Sequence, residues 1–255
     1  MRSEPTGGIM KRIAQLTDLH LDDSMAISQG FDTRANLVHV LEDIRDKGIR
    51  DIILTGDLGE ASTIGWLANQ LSQFGFSSRY LLGNHDYLPD YAALTDFIAN
   101  THEEGCYYSL HENGFLQLFL DSSKYEIGPG QLAWIKEQCS GSSEPILLFI
   151  HHPVLDCGNT PMDRFYPMNG RDVVRDYLHS LHRPVHIVCG HYHACHEQQQ
   201  QDISQYVTLS TYMQLKKTGS LLEMDGRDIG YRILEINSGA FRSFCVDVPL
   251  SVRVS

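Results

Sequence analysis

The sequence predicts an α/β protein, a four-layer αββα sandwich in which two mixed sheets face each other and helices cover the outside. Three observations carry this. Short apolar runs alternate with amphipathic helical patterns between residues 12 and 82. A hairpin and a second alternating set follow between residues 106 and 189, and residues 203–255 read as strands.

Arg12 to Thr17 reads as the first strand. Asp32 or Thr33 then caps a helix whose apolar face is Leu37, Val40, Leu41 and Ile44, at spacings i, i+3, i+4 and i+7, and Gly48 stops it. Asp51 to Thr55 is the second strand. Ile64, Leu67, Leu71 and Phe74 mark the next helix, stopped by Gly75, and Arg79 to Leu82 is the third strand. This β-α-β-α-β order implies parallel strands joined by right-handed crossovers. Cys106 to Leu110 and Phe115 to Asp121 read as a hairpin across His111-Glu112-Asn113-Gly114. A helix near Gln131 to Gln138, a strand Ile146 to Ile150, a helix carrying Val173, Val174, Tyr177, Leu178 and Leu181, and a strand Val185 to Cys189 complete the second set. Tyr206 to Ser210, Tyr231 to Ile236 and Phe241 to Val246 are the late strands. Gln198 to Gln201 reads as a solvated loop. No repeat or linker divides the chain, so one domain is expected over residues 1–255. Residues 1–10 are expected to be a flexible N-terminus, and residues 203–255 to complete the sandwich.

Composition excludes several function classes. The 255 residues carry 20 Lys and Arg against 32 Asp and Glu, a formal net charge of −12. That balance argues against a nucleic-acid grip through a basic surface, so no stable nucleic-acid partner is expected. An anionic substrate remains compatible, because bound cations reverse the local field. No apolar run approaches the roughly 20 residues of a membrane span, so no membrane partner is expected. The start, Met1-Arg2-Ser3-Glu4-Pro5, lacks the apolar core of a secretory signal. The six cysteines form no C-x-x-C pair. They read as free thiols in a reducing compartment, which makes the expected location cytoplasmic.

The chemistry sits after the strands. The five apolar runs end in Thr17-Asp18-Leu19-His20, Gly56-Asp57-Leu58, Gly83-Asn84-His85-Asp86, His151-His152-Pro153 and Gly190-His191-Tyr192-His193. Ligands of open α/β sheets bind at the carboxyl ends of strands. Here those ends deliver Asp, His and Asn to one edge. Imidazole and carboxylate suit Mn, Fe and Zn. The D-x-H and H-x-H spacings put alternate side chains on one side of an extended segment, and the two oxygens of Asp57 suit it to bridge two cations. Each motif alone is an ordinary turn; five in order after five strands are not.

These motifs, spanning Asp18 to His193, resemble those of the calcineurin-like metallophosphoesterase superfamily. Within it, the chain is similar to the class III cyclic nucleotide phosphodiesterases and related glycerophosphodiesterases. Phe31-Asp32-Thr33, the loop Met162-Asp163 through Met168-Asn169-Gly170, Ser210 to Gln214 and Gly230-Tyr231-Arg232 carry that narrower match. The resemblance implies two divalent or trivalent metal ions (Mn, Fe or Zn), one held by Asp18, His20, Asp57 and His193, the other by Asp57, Asn84, His151 and His191. His151 is preferred to His152 because it stands first after its strand. The match departs at Gly59-Glu60, where relatives often have a hydroxyl and an acid.

The implied reaction is hydrolysis of a small phosphodiester, foremost 3′,5′-cyclic AMP to 5′-AMP, by a metal-bridging hydroxide. His85 is the expected catalytic residue at the leaving oxygen, with Asp86 orienting its ring. Asn84, His85, Asn169 and Arg171 are the expected substrate contacts, although loop capping and surface charge account equally well for Asn169 and Arg171. Substrate specificity is expected from the loop Asp156 to Arg171 and from residues near Tyr212. The alternatives are a glycerophosphodiesterase, a broad cyclic-phosphate or phosphonate-ester hydrolase, and a non-catalytic nucleotide sensor or scaffold. The C-terminal strands offer an edge for a homodimer.

Overall fold

The computed structural model describes residues 10–91 and 100–249. All of the expected flexible N-terminus except Met10 lies outside them, as do residues 250–255 of the C-terminal segment.

The first sheet takes β1 (Lys11–Leu16), β2 (Asp51–Thr55) and β3 (Ser77–Leu81) in parallel. The late strands β12 (Ile229–Asn237) and β13 (Ala240–Val248) add to it antiparallel, giving the order β13-β12-β1-β2-β3. The second sheet holds β4 (Tyr108–Glu112), β5 (Phe115–Phe119), β6 (Ile146–Phe149), β7 (Val185–Cys189), β8 (His196–Gln200) and β9 (Ile203–Val207), in the order β4-β5-β6-β7-β9-β8. A short ribbon, β10 (Gln214–Leu215) and β11 (Met224–Gly226), stands apart from both.

Three apolar layers make this a four-layer sandwich. Leu37, Val40, Leu41 and Ile44 of helix α2 (Thr33–Asp46) and Leu67 and Leu71 of α3 (Ile64–Gln73) pack with Ala14, Ile52 and Leu54 of the first sheet. Ile135 of α4 (Pro129–Ser140) and Val174 and Leu178 of α6 (Arg171–Ser180) pack with Leu118, Leu148 and Ile187 of the second. Between the sheets lie Ile13, Ile53, Leu81, Phe119, Leu147, Phe149 and Val188. The apolar residues alternate between layers along each strand, as the period of two requires. Asp32 supplies the cap of α2, accepting from the Ala35 N–H at 2.9 Å.

Three expectations are corrected. The glutamine tract is not a loop: it falls largely within β8, an edge strand exposed from Glu197 to Gln200 while its backbone pairs with β9. Tyr206 to Ser210 overlaps a strand that begins earlier, at Ile203. The six cysteines are not all free, since Cys195 and Cys245 form a disulfide and Cys106, Cys139, Cys157 and Cys189 stay buried thiols. Two short helices, α1 (Ser24–Ser28) and α5 (Pro161–Phe165), and the β10–β11 ribbon carry too few residues to show a period. No described helix is long and apolar enough to cross a membrane.

Candidate metal centre

The loops after β1, β2 and β3 of one sheet and after β6 and β7 of the other meet at one edge. Pairing continues beyond the strands to fix them: the Asp18 N–H donates to the Gly56 carbonyl at 3.0 Å, the His20 N–H to the Asp57 carbonyl at 3.0 Å and the Gly190 N–H to the His151 carbonyl at 2.9 Å. The two sheets are tied where the His191 N–H donates to Asp18 Oδ2 at 2.9 Å. Close approach demands glycine at Gly56 and Gly190, among others. A Cβ on Gly56 would meet the Gly83 nitrogen at 2.5 Å, and one on Gly190 would strike Thr17 Oγ1.

The expected ligands are brought together and buried. Asp18 and His151 are 0% exposed and Asp57 2%. His20, His191 and His193 are buried as well, and Asn84 is half-buried. Asp18, His20, Asp57, His191 and His193 all have positive φ, between 45° and 67°. Left-handed backbone at a non-glycine residue costs on the order of 1 kcal/mol or more and collects at functional sites.

The imidazoles are wired in one consistent way. His151 Nδ1 donates to the Thr55 carbonyl at 2.8 Å, His193 Nδ1 to the Met213 carbonyl at 3.1 Å and His191 Nε2 to the Tyr166 carbonyl at 2.9 Å. A neutral imidazole has one N–H, so when each of these rings is neutral its other nitrogen is a bare lone pair, which a cation can take in place of a proton. His20 Nδ1 faces the Asp23 carboxylate at 3.8 Å. The free nitrogens then crowd the carboxylates. His193 Nε2 lies 3.4 Å from Asp18 Oδ1 and 3.3 Å from His20 Nε2. His20 Nε2 lies 3.7 Å, and His151 Nε2 3.3 Å, from Asp57 Oδ2.

This donor set fits cations. Donors held about 2.1 Å from one ion at angles between 90° and 110° lie roughly 3.0–3.4 Å apart, close to the spacings present. His151 Nε2 and Asn84 Oδ1 are buried with no hydrogen-bond partner, as groups reserved for a metal would be. Groupings able to hold an ion include Asp18 with His20 and His193, and Asp18 with Asp57 and His151. Charge agrees. Burial would raise the Asp18 carboxyl, but His193 and His151 hold it at about 2. Burial would lower His151, but Asp57 and Asp18 push it up to about 9. The paired carboxylates thus draw positive charge into the site.

His151 Nε2 faces Asp57, and His152 shares with His151 and His191 a grouping able to hold an ion. His152 pairs with Ser122 Oγ at 2.9 Å, and its ring sits 4.2 Å from that of His191. His85 is exposed, with its ring edge-on to His20 at 5.0 Å and its backbone N–H donating to Asp57 Oδ1 at 2.9 Å. Two expectations fail here. Asp86 does not orient His85: its carboxylate accepts the N–H groups of Asp57, Leu58 and Gly83, at 2.7, 2.9 and 2.8 Å, and the Tyr91 hydroxyl, so it braces the loops. Asn169 and Arg171 do not line the cleft. The Arg171 guanidinium is held by Asp163 at 3.1 Å and Asp156 at 3.2 Å, and the Asn169 N–H donates to the Tyr125 carbonyl.

The centre floors a cleft of about 680 Å³. Its walls are Met25, Tyr125, Met162, Tyr166, Tyr212, Met213, Leu215, Leu222 and Met224, with Gln29 and Asp23 at the side and, among the described residues, no lysine or arginine in its lining. Tyr212 lies in the segment singled out from sequence, and its ring is 5.4 Å from His20. Met25, Leu222 and Met224 come from α1 and the β10–β11 ribbon, which no sequence pattern revealed. Asp23 was equally missed, although it stands three residues after His20.

Residues 11–195 match the family described as calcineurin-like phosphoesterase. A protein of Fibrobacter succinogenes named a probable cyclic nucleotide phosphodiesterase is 30% identical, over 88% of this chain and 89% of its own. A glycerophosphodiester phosphodiesterase of Enterobacter lignolyticus is 25% identical, over 71% of this chain and 70% of its own. Among solved structures, a dimetal phosphatase from Danio rerio superposes with a TM-score of 0.64 at 12% identity, covering 94% of this chain and 99% of its own. That last likeness is one of fold.

Proposed function

We propose, from the premise that the chain belongs to the calcineurin-like phosphoesterase family, that it hydrolyses a small phosphodiester, foremost 3′,5′-cyclic AMP to 5′-AMP. The observation that carries this reading is the convergence of bare imidazole nitrogens and carboxylate oxygens on the floor of an apolar cleft.

Asp18, His20, Asp57 and His193 would hold one divalent or trivalent ion, and Asp57, Asn84, His151 and His191 a second. When bound, such a pair supplies Lewis-acid activation of water and offsets charge on the phosphoryl oxygens. Mn, Fe and Zn all suit these donors. His85, fixed through its backbone to Asp57 yet exposed at the ring, donates a ring N–H proton to the ester oxygen that departs. In cyclic AMP that oxygen is O3′, and protonation there leaves the phosphate on O5′. Asp86 keeps the Asp57 and Gly83 backbones in place while this occurs.

The walls support a nucleotide. Tyr125, Tyr166, Tyr212 and the methionines present flat and soft apolar surface suited to a base. Among the described residues the lining has no cationic side chain for a second phosphate, which favours an isolated diester over a polyphosphate or nucleic acid. A second reading, hydrolysis of glycerophosphodiesters at the same centre, is favoured by the Enterobacter relative. Steady-state assays with Mn, Fe and Zn on cyclic AMP, glycerophosphocholine and bis(p-nitrophenyl) phosphate decide between them. Higher kcat/KM on cyclic AMP supports the first reading, and the reverse order supports the second. No turnover of any of them with any metal overturns both and leaves a nucleotide sensor.

A further inference from the structure

One buried carboxylate away from the metal-facing set has an unusually full set of partners. Asp163, in α5, is 6% exposed. It accepts the Cys157 N–H at 3.0 Å, the Thr160 N–H and hydroxyl each at 3.0 Å, Arg171 Nη1 at 3.1 Å and the Tyr192 hydroxyl at 2.9 Å. Tyr192 stands between His191 and His193, and its ring is buried. A few residues past Asp163, the Tyr166 carbonyl accepts from His191 Nε2 at 2.9 Å. The bonds close a ring: from the His191–Tyr192 backbone through the Tyr192 phenol to Asp163, along α5 to Tyr166, and back to the His191 imidazole. Met162 and Tyr166, on the same stretch of chain, form part of the cleft wall.

We infer that Asp163 is a positioning residue that fixes His191 with Nδ1 toward the metal centre and holds the Met162–Tyr166 wall against the organic part of the substrate. The His191 ring cannot turn unless the Tyr166 carbonyl moves with it. Tyr166 is tied to the end of α5 by its N–H, which donates to the Met162 carbonyl at 2.9 Å, and Asp163 anchors α5 to the loop that bears His191. One group therefore sets both the hold on the second ion and the shape of the wall. This rests on the reading that His191 is a ligand.

The test is Mn²⁺ titration of the full chain by electron paramagnetic resonance, with circular dichroism to confirm folding. The variants are His191→Ala, Asp163→Asn and Tyr192→Phe. Partners of a metal-bound histidine typically govern its metal affinity by 10–100-fold. Asp163→Asn and Tyr192→Phe are expected to weaken one of two ions by about 10-fold or more and to leave the other unchanged. Both should also raise KM for cyclic AMP more than for the smaller dimethyl phosphate. If His191→Ala loses one ion while both other variants bind two as tightly as the unaltered chain, the inference is overturned and the ligand assignment stands. If His191→Ala still binds two ions, the ligand assignment falls and the inference with it. Should Asp163→Asn fail to fold, Tyr192→Phe decides alone, since it deletes a single hydroxyl.

Discussion

Asp57 concentrates the demands of the site in one residue. Its backbone is left-handed at φ 52°, Oδ1 accepts the His85 N–H at 2.9 Å, and Oδ2 lies between His20 and His151 at 3.7 and 3.3 Å. His85 beside it is the residue through which chemistry and metal binding separate. His85→Ala is expected to lower kcat on cyclic AMP by about 10²–10⁴-fold with unchanged metal content. The loss should be much smaller on bis(p-nitrophenyl) phosphate, whose phenolate departs without a proton. Equal losses on both substrates would remove the proton-donor role. The residue types and spacings around Asp18, Asp57 and His191 were legible in the sequence because ligand chemistry restricts which side chains serve. The carbonyls of Thr55, Met213 and Tyr166 were not, since backbone acceptors leave no mark on composition; Asp23 was hidden because its carboxylate also caps the short helix α1. Asp86 misled for a related reason: adjacency to His85 suggested a partner, but its carboxylate turns the other way to satisfy loop N–H groups.

At the scale of elements, strands with a strict apolar pattern were readable within a few residues, and β2 and β7 coincide with their expected bounds. The failures share a cause. Strand β8 is defined by its pairing with β9, a partner distant in kind from its own polar side chains; α1 and α5 are five residues each, too short for a helical period. The disulfide was unreadable because it depends on two elements meeting. Cys245 lies on β13, the outer strand of the first sheet, and Cys195 just before β8, the outer strand of the second. It therefore staples the two sheets together across 50 residues of chain. Cys245→Ser is expected to lower unfolding free energy by about 2–4 kcal/mol. Urea melts with and without dithiothreitol check this: reductant should bring the unaltered chain down to the variant and leave the variant unmoved.

Over the whole molecule, the sandwich brings two sets of strand ends to one edge, and the layer between its sheets is mostly apolar. His186 of β7 sits in this layer, its ring stacked on Phe241 at 4.6 Å. Burial lowers its pKa to about 4, whereas the unfolded chain titrates near 6.5. The unfolded state thus takes the proton first. The contribution of His186 to stability is full above about pH 6.5 and is lost as pH falls toward 4. Denaturant melts from pH 7.5 to 4.5 should show a decline that His186→Leu flattens, and an unaltered slope would contradict it. The formal charge of −12 is compatible with a phosphodiester substrate, because bound cations would reverse the field at the site. Whether two cations share Asp57 is decided by anomalous diffraction from crystals grown with Mn²⁺. The prediction is two peaks, one bounded by Asp18, His20 and His193, the other by Asn84, His151 and His191, each within coordination distance of an Asp57 oxygen. A single peak, or a pair in which only one ion touches Asp57, would contradict it.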